Sequence, residues 1–150
     1  MRAVQQRAWW ALAVIAVMLV VFGTSDVVMG AEADPGISLA VSGMSPATLA
    51  TEQPDAYRMF DFVTRSQGIL LTVFGLLLLI VIAIPYRAAR PWAWRALWLL
   101  PAWAITVPCL FAAFGTVPAQ PPAPPMISGP IVAFVSAATL IFDRGRIRDR

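Results

Sequence analysis

The chain has 150 residues, of which 59% are hydrophobic and 13% charged, with a formal net charge of +3 and a mean hydropathy of +0.75. This exceeds the roughly half-apolar content of soluble domains, so lipid is the solvent the chain is built for. It contains no histidine and a single cysteine, Cys109, which excludes His-ligated haem, His-containing zinc sites, Ser-His or Cys-His nucleophile pairs, an intramolecular disulfide and a CxxC redox pair. All the basic residues are arginines, and their clustering at the ends of apolar runs accounts for the pI of 10.0 better than affinity for nucleic acid does. No nucleic-acid partner is expected.

The first predicted span covers about residues 8–29. Arg2 and Arg7 precede it, Trp9 and Trp10 follow where amphipathic rings settle among headgroups, and no charge interrupts the chain before Asp26. A cleaved signal peptide shares the basic start, the apolar core and a small-x-small triplet, Ala31-Glu32-Ala33. The apolar run of about 18 residues exceeds the 7 to 15 usual for such cores, which favours a retained span.

Residues 30–64 form the only substantial polar region, with acids Glu32, Asp34, Glu52, Asp55 and Asp61 and one base, Arg58. The first half is weakly apolar and broken by Gly and Pro. That suits a loop lying on the membrane surface and gives no assignable secondary structure. The second half predicts a helix, because Pro54 suits a first-turn position and no breaker follows before Gly68. Asp55, Arg58, Asp61 and Arg65 recur three, three and four apart. That spacing sets opposite charges side by side and reads as a solvated stripe.

Residues 66–86 carry no charge and, at about 1.5 Å per residue, just cross a hydrocarbon core of roughly 30 Å. The connection 87–95 holds Arg87, Arg90 and Arg95 among Trp92 and Trp94, the pattern of a cytoplasmic turn with an aromatic belt. The uncharged run 96–142 would be about 70 Å long as one helix, so it must fold back. Six prolines between 118 and 130 locate the turn. The reading is a third span over 96–116 kinked by Pro101 and Pro108, an external proline-rich turn over 117–130, a fourth span over 126–142 whose start overlaps that turn, and a basic tail over 143–150. With both termini and the 87–95 connection in the cytoplasm, only Arg58 and Arg65 of the arginines lie outside. The predicted architecture is one integral domain: an all-α four-helix transmembrane bundle with N- and C-termini cytoplasmic, multi-pass in a bacterial inner membrane.

In lipid, helices approach one another through small residues and interhelical polar contacts. The candidate seams are Gly68, Thr72 and Gly75 in the second span; Ala102, Thr106 and Cys109, extended by Ala113, in the third; Gly129, Ala133 and Ala137, beside Ser136, in the fourth; and Ala16 and Gly23 in the first. Cys109 on such a seam reads as a small packing residue rather than a nucleophile. Asp26, the one ionisable group close to a span interior, is expected to pair with Arg65 at matching depth, as a structural pair rather than a binding site. Paired carboxylates around a cavity, a Gly-rich phosphate loop and a metal-ligand cluster are all missing from the sequence, so no catalytic, cofactor or metal site is predicted.

An N-terminal span, an external loop, a helix carrying TRSQGILLTVFG into the second span, the connection YRAARPWAWRALW and two closing spans together resemble the small four-span bacterial membrane proteins of the DoxX-like group and related families. The resemblance implies a compact bundle and supplies no catalytic residue; the acidic outer loop departs from the group's usual form. The functional expectation is a non-enzymatic accessory or interaction subunit whose partners are the bilayer and other membrane subunits or further copies of itself. The alternative is a small-solute carrier or channel subunit, prompted by the kinked third helix and by Thr72, Thr106 and Ser136 at mid-membrane depth. A lipid- or quinone-handling enzyme is a third option.

Overall fold

The structure is a computed structural model and describes residues 9–114 and 122–145. The described residues are predominantly helical, and no strand occurs among them. Helix α1, Trp9–Met29, has apolar residues all round and ends at Gly30, whose φ of 60° is the left-handed geometry that closes many helices. A 3-10 turn, Gly30–Glu32, follows.

The loop expected to lack assignable structure contains two short helices, each with its own start signal. Asp34 accepts from the Gly36 amide at 3.1 Å with Pro35 in the first turn, giving α2, Pro35–Ser42, which stops at left-handed Gly43. Ser45 accepts from the Thr48 amide at 3.2 Å with Pro46 in the first turn, giving α3, Pro46–Glu52. Side-chain caps followed by proline satisfy or remove orphan N–H groups, which is why such short segments persist.

Helix α4 runs over Pro54–Val81 and continues through a π turn, Ile82–Tyr86. Pro85 has no N–H for the Val81 carbonyl, and the chain widens instead, bonding the Arg87 amide to the Ile82 carbonyl at 3.3 Å. The whole 33-residue element is about 50 Å long, so roughly 20 Å stands clear of a hydrocarbon core. A tight turn with Ala89 at φ 57° leads to α5, Pro91–Leu97, and then α6, Leu99–Phe114. The break at Trp98 lies just before Pro101, which cannot donate to the Leu97 carbonyl. Helix α7, Pro124–Phe142, begins earlier than the proline content suggests, because Pro124 and Pro125 occupy first-turn positions where no N–H is needed. Pro130 lies inside it. The first part of the predicted proline-rich turn, 117–121, the last two residues of the predicted third span, 115 and 116, and most of the tail, 146–150, lie outside the described residues.

Four elements, Trp9–Glu32, Pro54–Tyr86, Pro91–Ala113 and Pro124–Phe142, are long and apolar enough to cross a membrane. The protein is a multi-pass membrane helical bundle. It is built from two tight helix pairs, α1 with α4 and α6 with α7. The pairs meet through α1 and α7 and through the Phe74 and Trp103 rings, 5.6 Å apart. Their shared core lies toward one end, where Leu12, Ala16 and Leu19 of α1 meet Leu78, Ile82 and Tyr86, then Ala93, Leu97 and Leu100, and finally Leu140 of α7. Arg87, Arg90, Arg95 and Arg144 also lie at this end, the basic end. The opposite, acidic end carries α2 and α3, with Pro46 and Leu49 buried as α3 packs on α4.

Candidate functional site

At the acidic end two charged side chains of α4 grip the backbone that leaves α1. The Arg65 guanidinium donates to the Val27 carbonyl at 2.7 Å and the Val28 carbonyl at 3.0 Å through Nη1, and to Asp61 Oδ2 at 2.8 Å through Nε. Asp61 Oδ1 in turn accepts from the Ala31 amide at 2.9 Å. A cation at a helix C-terminus satisfies orphan carbonyls and opposes the negative end of the helix dipole. The i, i+4 spacing of Asp61 and Arg65 orients the fork for that task. Gly30 is needed beneath it, since a side chain there would run into the Asp61 carboxylate and the Arg65 guanidinium.

The expected Asp26–Arg65 pair is not among the ion pairs of the described residues. Arg65 is already committed to Asp61 and the α1 carbonyls, and Asp26 instead lies over Gly68, where an added Cβ would fall 2.7 Å from the Asp26 Cβ. Of the charge ladder, Asp55 and Arg58 form an exposed pair at 3.7 Å, whereas the Asp61–Arg65 pair is partly buried. Burial pushes the Asp34 carboxyl above its ordinary range, against the backbone hydrogen bonds from Gly36 and Ile37 that hold it down.

At the basic end Tyr86 and Asp143 are both fully buried, and Tyr86 Oη donates to Asp143 Oδ2 at 2.6 Å. The bond joins the end of the second span to the end of the fourth. Trp94 Nε1 donates to the Leu140 carbonyl at 2.9 Å and ties α5 to the same turn. The Arg87 guanidinium lies 4.6 Å over the Trp9 ring, which itself stacks on Trp10.

The predicted seams divide into three that are used and one that is not. Cβ atoms built on Gly23, Gly68 and Gly75 would fall within 2.9 Å of backbone atoms of the facing helix, so α1 and α4 approach as closely as glycine allows. Thr72 and Ala16 line the same contact. In α7, a Cβ on Gly129 would lie 2.7 Å from the Ala104 carbonyl, the one that Pro108 leaves without its helical donor. Ala133 and Ala137 are half-buried, and Ser136 is fully buried with its hydroxyl on the Val132 carbonyl. The third-span stripe is turned the other way. Ala102, Thr106, Cys109 and Ala113 are all exposed, while Pro101, Ala104 and Pro108 face inward. Both faces of α6 carry small residues, and close packing against α7 selects the proline face.

A shallow groove between α1 and α4, lined by Thr24, Val27, Ile69, Thr72 and Val73, has a volume near 220 Å³. Among the described residues no group of three or more Cys, Asp or Glu side chains could hold a metal. The arrangement performs capping and helix docking, and it leaves one small-residue face open. Comparisons with family models, curated proteins and solved structures give no match for the chain.

Proposed function

We propose that the protein is a non-enzymatic accessory or interaction subunit of a bacterial inner membrane, with both termini cytoplasmic, that docks another membrane helix on the outward face of α6. The observation carrying this reading is the exposure of Ala102, Thr106, Cys109 and Ala113 along one side of a span. Small side chains in lipid allow a second backbone to approach closely, which is the contact the other three seams make inside the bundle. The solute-carrier reading has less support, since Thr106 donates to its own helix at Ala102 and Ser136 to its own at Val132.

The single cysteine makes the test direct. In native membranes, oxidation or a short bis-maleimide should cross-link the chain through Cys109 to itself or to one defined partner protein. A Thr106→Leu variant should lose that product while retaining its own melting temperature. If Cys109 yields only non-cross-linked chain, and mild-detergent purification returns isolated monomers, the reading fails.

A further inference from the structure

Arg87, Arg90, Arg95 and Arg144 are all exposed at one end of the bundle. The ion pairs of the described residues, Asp55–Arg58 and Asp61–Arg65, include none of them. The described carboxylate at this end, Asp143, is withdrawn into the core against Tyr86. The collar is also held in place. Ala89, in left-handed geometry with its methyl group buried, fixes the turn between Arg87 and Arg90. Trp9 lies under the Arg87 guanidinium, and the Trp94 bond to Leu140 docks the helix that bears Arg95. A fixed backbone beneath the arginines, with Arg87 already held over Trp9, lowers the freedom lost on binding an anion, and the planar guanidinium forks match phosphate oxygens.

Exposed apolar side chains lie beside these charges: Trp10, Ile84, Trp92 and Leu99. A soluble anion would satisfy the arginines alone, whereas a ligand with a phosphate and acyl chains satisfies both surfaces. We propose that the arginine collar is a binding site for anionic glycerophospholipid, with the headgroup phosphate held by Arg87, Arg90 and Arg95 and the chains lying along the adjoining spans. The proposal is independent of the docking role of α6 and of which leaflet the basic end occupies.

Five of the six tryptophans, Trp9, Trp10, Trp92, Trp94 and Trp98, lie at or beside this end, so their fluorescence reports its lipid neighbours. The full chain would be reconstituted in phosphatidylcholine vesicles containing phosphatidylglycerol in both leaflets, with either lipid brominated on its acyl chains. Quenching should give a phosphatidylglycerol preference of roughly tenfold or more at physiological salt, at about fivefold per engaged arginine less screening, and it should fall towards parity in 1 M salt. Arg87→Gln with Arg90→Gln should remove most of the preference, and Arg58→Gln at the other end should leave it unchanged. Millimolar glycerol 3-phosphate should not relieve the quenching. Equal quenching by both lipids, an unaltered preference in the double variant, or relief by glycerol phosphate would overturn the proposal. Should the double variant fail to insert, the salt dependence of the parent chain decides alone, and a preference unmoved by 1 M salt counts against the collar.

Discussion

At the acidic end, side chains of one helix hold the backbone of its neighbour: Arg65 on the Val27 and Val28 carbonyls, Asp61 on the Ala31 amide. At the basic end all four spans meet through buried side chains, with Tyr86 bonded to Asp143 inside a wall of leucine, isoleucine and alanine. The first closure is partly exposed and ties only α1 to α4. The second is buried and gathers all four spans into one cluster. Local opening follows the less buried, less connected contacts, so the acidic end should loosen first while the basic end sets global stability.

The sharpest way to break this contrast is Gly68→Val, which drives a branched side chain into Asp26, the Gly23 carbonyl and the Val27 amide. A destabilisation of about 2–4 kcal/mol is expected, read as a lower melting temperature in detergent, with amide protection lost in the acidic half of α1 but kept around Leu12. Equal loss at both ends would refute their independence. Tyr86→Phe comes next, at about 1–3 kcal/mol, because a buried carboxylate loses one of its donors. Its signature is a global fall in melting temperature, not a local one. Arg65→Lys keeps the charge but not the fork, and should speed hydrogen exchange over residues 30–33 with little change in melting.

Asp34→Asn keeps a capping oxygen and removes a charge whose folded pKa lies above its unfolded one. A raised pKa means that stability from this group is present in acid and is lost as pH rises through the folded value. The variant should therefore melt slightly higher than the parent at neutral pH and no differently towards about pH 3. Arg58→Gln should change nothing measurable, since its pair with Asp55 is almost fully exposed.

Hydropathy made the four spans legible, because runs without charge flanked by arginine and tryptophan admit few other readings. The α1–α4 seam was legible for a similar reason: Gly68, Thr72 and Gly75 share one side of a helix whose remaining surface is bulky. The third span was not, since Ala102, Thr106 and Cys109 and the opposing Pro101, Ala104 and Pro108 have equally small side chains, and spacing alone does not say which set faces a neighbour. Arg65 was rightly singled out, but its closest acceptors are backbone carbonyls and a carboxylate one turn away, which outcompete the side chain of Asp26. The Asp34-Pro35 and Ser45-Pro46 pairs were available as helix-start signals for α2 and α3. Tyr86 and Asp143, 57 residues apart, had no common signal beyond lying where an apolar run stops.

The wide turn at Ile82–Tyr86 acts as a phase shifter. It absorbs one residue more than an α-turn without opening a loop, and so determines the azimuth at which everything after it emerges. Winding the same residues as ordinary α-helix would instead rotate the downstream chain by about 100°. Tyr86 would then swing away from Asp143, and the arginine-bearing turn would leave the helix on another side, away from the end of the fourth span.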